Sequence, residues 1–93
     1  MSVEVRVPTV LRKHTDGAKA VTGDGATVRE LLADLEKQHP GMHAAVVTES
    51  GELQRFINVY LNDEDIRFLG ALETPIADGD IISILPAVAG GGA

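Results

Sequence analysis

Gly90-Gly91-Gly92-Ala93 are the residues of this sequence best suited to chemistry, and the chemistry is that of a terminal carboxylate rather than of a side chain. Glycines after a strand add nothing to a core and cost backbone entropy to order. Without a Cβ, however, their backbone can thread a narrow channel and present a carboxylate to the active site of another protein. A Gly-Gly ending alone equally describes a frayed terminus. What precedes it changes the reading: Ile81-Ile82-Ser83-Ile84-Leu85-Pro86 is an apolar, strand-like run, and only Ala87-Val88-Ala89 separates it from the glycines.

The other candidates for chemistry are weaker. His39 and His43 have the i, i+4 spacing of a helical zinc pair, but Pro40-Gly41 lies between them and breaks the helix that would align them. Asp63-Glu64-Asp65 suggests calcium, yet the loop pattern then needs glycine where Phe68 stands, so a solvated turn is the better reading. Gly23-Asp24-Gly25 is too short for a phosphate loop, and Ser50 and Ser83 have no base partner in the sequence. These features leave no internal active site and no bound cofactor or metal. The absence of cysteine removes disulfides, thiolate metal sites and cysteine nucleophiles. Any sulfur handled by this chain cannot ride on a side-chain thiol.

The elements that would position the tail follow from periodicity. Val3, Val5 and Val7 alternate with Glu4, Arg6 and Pro8, the pattern of a strand buried on one face. His14-Thr15-Asp16-Gly17 reads as a turn and Ala18-Lys19-Ala20-Val21 as a returning strand, giving an N-terminal hairpin. Thr27 and Glu30 form a capping-box signature ahead of Val28, Leu31, Leu32 and Leu35, which lie on one helical stripe up to Pro40-Gly41. The segment from Met42 to Ser50 reads as a short helix and a loop. A strand follows, with Ile57, Val59 and Leu61 on one face, then an Asn62-Asp63-Glu64-Asp65 turn and a short strand near Ile66-Arg67-Phe68. The final strand begins at Ile81.

This order predicts an α+β domain: a mixed four- or five-stranded sheet with one main helix on one face, as in the β-grasp (ubiquitin-like) arrangement. Residues 1–88 would form the domain and residues 89–93 a flexible glycine-rich tail. One helix covers only one sheet face. If Ile57, Val59 and Leu61 face the helix, Phe56, Asn58 and Tyr60 face away. The last strand is apolar on both faces, so one of its two sets should join Phe56 and Tyr60 outside, forming a docking surface.

Composition is consistent with this plan. Ninety-three residues suffice for one small core, and a net charge of -6 argues against nucleic acid as the main partner while favouring a basic partner surface. No apolar run has the length of a membrane span and Met1-Ser2-Val3-Glu4-Val5 is not a signal peptide, so the expected location is cytoplasmic.

Asp78-Gly79-Asp80, a strand-length run, and then Pro86-Ala87-Val88-Ala89-Gly90-Gly91 resemble the C-terminal signature of the ubiquitin-like sulfur carriers of the MoaD/ThiS family. Length and element order extend the resemblance to the whole chain. The stretches Val7-Pro8-Thr9-Val10-Leu11-Arg12, Phe56 to Phe68 and Ile84 to Gly91 look most similar to the CysO type of carrier, used in cysteine biosynthesis. The resemblance implies a β-grasp fold and a protein cosubstrate rather than an enzyme. An E1-like enzyme using ATP would adenylate the carboxylate of Gly91, and sulfide or a persulfide would displace AMP to leave a thiocarboxylate. Val88, Ala89 and Gly90 would thread the partner's active site. The resemblance also places Leu85 against the activating enzyme, which puts Ile81, Ser83 and Leu85 outside with Phe56 and Tyr60.

Gly92-Ala93 departs from the pattern, because family members are activated at the diglycine. Removal by a zinc-dependent JAMM-type peptidase, with cleavage after Gly91, is the expected remedy; cleavage after Gly92 is the competing register. The sulfur acceptor would be a biosynthetic enzyme, either a PLP-dependent cysteine synthase or a thiazole-synthase-like enzyme. The alternatives are the small subunit of molybdopterin synthase and a ubiquitin-like modifier joined to lysines.

Overall fold

Period-two alternation in the first residues gives the first strand. The computed structural model describes residues 2–87; Met1 and Val88, Ala89, Gly90, Gly91, Gly92 and Ala93 lie outside the described residues, as does the expected boundary between 1–88 and 89–93. Strand β1 spans Ser2–Arg6, with Val3 and Val5 fully buried and Arg6 exposed. A 3-10 helix over Thr9–His14 then buries Leu11.

The returning strand, β2, is Ala20–Asp24, two residues later than the sequence suggested. Ala18 is held in the turn instead: its N–H donates to the Thr15 carbonyl at 3.0 Å and its carbonyl accepts the Thr15 hydroxyl at 2.9 Å.

Helix α1, Val28–Gln38, starts at the expected cap: the Thr27 hydroxyl accepts the Glu30 N–H at 3.2 Å. The reciprocal bond of the box falls one residue earlier, the Glu30 carboxylate accepting the N–H of Ala26 at 3.0 Å. Val28, Leu31, Leu32 and Leu35 are all buried, and the helix ends at His39 before Pro40. Gly41, with φ 101°, turns the chain into a short helix α2, Met42–Val46, that buries Met42 and Val46.

Strands β3, Ile57–Leu61, and β4, Glu64–Asp65, form a hairpin. Ile66–Phe68 is a 3-10 turn rather than the expected strand. Asp65 causes the difference, because its side chain accepts the Arg67 N–H at 2.9 Å and curls the backbone out of the ladder.

Strand β5, Ile81–Pro86, closes the sheet in the order β2-β1-β5-β3-β4, parallel to β1 and antiparallel to β3. The result is the α+β, β-grasp arrangement expected: a mixed five-stranded sheet with one main helix on one face. Ile82 and Ile84 of β5 join Val5, Val59, Leu31 and Leu35 in one buried cluster. Each such side chain contributes about 1.5–3 kcal/mol by leaving water. The strand that precedes the glycines in the sequence is thus the central strand of the sheet.

Candidate docking face and tail exit

Strand parity decides what β5 presents. Ile82 and Ile84 are 0% and 1% exposed, whereas Leu85 is 45% exposed and Ile81 and Ser83 are partly so. The outward set is therefore Ile81, Ser83 and Leu85, as expected.

Register places the neighbours. Tyr60 lies opposite Ser83 and Asn58 opposite Leu85 on β3, while Arg6 of β1 lies opposite Ser83 from the other side. Leu85 and Tyr60 share a recess of about 490 Å³ with Arg6, Asn62, Asp63 and Ser83. The surroundings are mostly polar: Arg6 pairs with Glu4 at 3.0 Å, and Arg67 donates to the Asn58 side chain at 2.8 Å and to the Ile57 carbonyl at 2.7 Å. Leu85 is thus an apolar centre within a charged frame.

The structure separates two residues that the sequence placed with that pair. Phe56, 53% exposed, lines a different groove of about 490 Å³ with Val10, Lys13, Ala45, Pro86 and Ala87. The cause is its position one residue before β3, where the chain is closing onto the end of β5: the Phe56 carbonyl accepts the Ala87 N–H at 2.8 Å. Ile81 sits at the opposite end of β5, roughly 13 Å from Leu85 at strand rise. There Asn62 clamps it, the Asn62 N–H donating to the Ile81 carbonyl at 2.7 Å and the Ile81 N–H to the Asn62 side chain at 3.1 Å.

Sequence reasoning missed two contributors to the exit. Val10, 61% exposed, and Lys13 sit on the Thr9–His14 helix, which no period-two or helical stripe announces. The apolar Val10-Leu11 pair was the available signal. The expected reactive and threading residues, Gly91, Gly90, Val88 and Ala89, and the processed Gly92 and Ala93, lie outside the described residues.

Elsewhere the weak candidates sort themselves by local structure. His39 caps the end of α1 while His43 lies within α2, so the two belong to different helices. Glu36 binds this corner instead: its carboxylate accepts the N–H of Gly41 at 3.1 Å and of His43 at 3.0 Å. Those two backbone donors hold its pKa below the usual carboxylate value of 4.5, with His43 and His14 adding charge attraction. Ser50 is tied into a loop with Thr48 at 2.9 Å. No described helix is long and apolar enough to cross a membrane.

Comparison with known proteins points one way. The model of the ThiS family matches residues 5–91. Over 93 residues the chain is 50% identical to the sulfur carrier protein CysO of Mycobacterium tuberculosis, across 98% of this chain and 100% of that one. A chain of the crystal structure of the Amycolatopsis orientalis BexX/CysO complex is similar with a TM-score of 0.88 and 56% identity, over 96% of this chain and 99% of that chain. The small archaeal modifier protein 3 of Haloferax volcanii is 33% identical over 94 residues, across 98% of this chain and 100% of its own.

Proposed function

This chain belongs to the ThiS family, and we propose that it is a sulfur carrier working through the carboxylate of Gly91. A JAMM-type metallopeptidase hydrolyses the Gly91–Gly92 amide, releasing Gly92-Ala93 and exposing that carboxylate. One carboxylate oxygen then attacks the α-phosphorus of ATP, held by an E1-like enzyme, and pyrophosphate leaves. Hydrosulfide attacks the acyl carbon, AMP departs, and a thiocarboxylate remains. A persulfide donor reaches the same product once a thiol reduces the intermediate acyl disulfide.

The sequence of steps follows from bond strengths and charge. A carboxylate is a poor electrophile, and adenylation provides the leaving group that sulfide needs. The thioacid is ionised at neutral pH and nucleophilic, which suits donation to an electrophilic acceptor. The acceptor is a biosynthetic enzyme that makes cysteine or another sulfur-containing metabolite, a PLP-dependent cysteine synthase or a thiazole-synthase-like enzyme. Val88, Ala89 and Gly90 pass through the partner's channel while Leu85 and Tyr60 rest on its surface. The carrier itself is a cosubstrate and holds no cofactor, the ATP being bound by its activating enzyme.

The observation that carries this reading is near-full-length similarity to CysO, including the residues that lead from β5 into Gly90-Gly91. The relative found in a complex with BexX supports docking on a partner protein. Intact-mass spectrometry of the protein from its native host tests it, before and after addition of ATP, sulfide and host extract. Loss of Gly92-Ala93, then a mass gain equal to sulfur replacing one oxygen, is the expected result; an untrimmed, unchanging mass would sink the reading. A second reading, a modifier joined to lysines through the same activated glycine, is favoured by the similarity to small archaeal modifier protein 3. Isopeptide-linked remnants of this tail on host lysines would establish it.

A further inference from the structure

The chain carries a net charge of -6, which would draw it to a basic partner, yet the end of the sheet where the tail departs has the opposite sign. Two recesses flank the last residues of β5, Leu85 bordering one and Pro86 and Ala87 the other. Arg6, Arg12 and Lys19 line the first and Lys13 the second, so four of the eight Lys and Arg residues of the sequence gather there. Of its fourteen Asp and Glu residues, only Glu4 lines either recess, while Asp63 lines the third recess, which Leu85 and Arg6 share with Tyr60.

Five acidic residues gather at the other end of the same strand. Asp78 and Asp80 precede Ile81, and the Asn62 to Asp65 turn stands beside it. Only the two arginines of the group are fixed by side-chain contacts. Arg12 donates through Nε to the Val7 carbonyl at 3.1 Å, which leaves its two terminal nitrogens at the rim. Lys13 and Lys19 are exposed and form no ion pair among the described residues. Arg6 alone is matched, by Glu4.

We infer that this cationic collar, Arg6, Arg12, Lys13 and Lys19 around the apolar Leu85, docks against an acidic rim at the mouth of the channel on the activating enzyme. The inference rests on the sulfur-carrier reading and adds the sign of the partner surface. An acidic rim repels the Asp63–Asp65 end of the carrier and attracts the exit end, so the field turns the tail toward the channel before contact. Arg12, with its fork of donors, suits a carboxylate of the rim, and Leu85 suits an apolar pocket inside it.

The test measures adenylation of the host-processed carrier by the E1-like enzyme of the same organism, across increasing NaCl. For Lys13→Glu/Lys19→Glu, neither side chain supports the fold, and kcat/KM should fall by about tenfold at low salt with a shallower dependence on salt. Lys37→Glu on the exposed side of α1 should stay within about twofold of the parent. Circular dichroism confirms that each variant is folded. An unchanged rate would overturn the inference, and a faster rate would overturn it in favour of a basic partner. Failure of the parent protein itself to be adenylated would overturn the sulfur-carrier reading along with the collar.

Discussion

The two faces of β5 set the same apolar residue types in opposite surroundings. Ile82 and Ile84 are sealed against α1 and its neighbours, while Leu85, one residue further on, is nearly half exposed among Arg6, Tyr60 and Lys19. Apolar character alone does not separate buried from exposed residues; position within the pleat does. A strand with a core on one side and a surface on the other lets recognition change without loss of the fold.

The sharpest way to break this comparison is Leu85→Asp. Adenylation by the activating enzyme should be abolished, while stability to urea changes by no more than about 0.5 kcal/mol, as for other surface positions. A folded variant with an unchanged adenylation rate would remove Leu85 from the docking face. Ile82→Ala, three positions earlier on the buried face, should cost about 2–5 kcal/mol in urea unfolding, with any loss of activation tracking the unfolded fraction.

Thr27→Ala acts on the same buried face from behind, through the helix that covers it. Losing the hydroxyl that accepts the Glu30 N–H should cost about 1 kcal/mol. Gly41 and His43 predict the smallest effect, one confined to acid. Because their N–H groups lower the Glu36 pKa in the folded state, Glu36 contributes stability that is complete above the unfolded value of 4.5 and is lost as pH falls through the folded one. Glu36→Gln should therefore be less stable than the parent at neutral pH, and the gap should close in strong acid. A gap independent of pH would assign the residue's effect to packing rather than charge.

Much of the buried half was legible, because burial leaves a periodic trace. Val3, Val5 and Val7 announced β1, and Thr27 with Glu30 announced α1. Regions governed by local side-chain bonds left no such trace. Ile66–Phe68 has strand-forming residues but is curled by Asp65, and β2 starts late because Thr15 pins Ala18. The outward face of the sheet was legible only as parity. Parity turned Tyr60 outward but left the two sets of β5 open until the family resemblance put Leu85 outside, and it put Phe56 beside them when chain closure at Ala87 draws it to another groove. The collar could not be read at all: Arg6, Arg12, Lys13 and Lys19 come from a strand, a 3-10 helix and a turn, and a negative total hides a positive locality.

Strand β5 lies between β1 and β3, hydrogen-bonded to both, and in the sequence only Ala87-Val88-Ala89 separates it from the glycines. A pull applied at Pro86 along β5 would load both ladders in shear, so their bonds would share the force instead of peeling apart one by one. An edge strand in the same position would have one ladder to resist with. On the proposed function, a partner that drew the tail tight in its channel would pull against a domain anchored like a stopper on a cord.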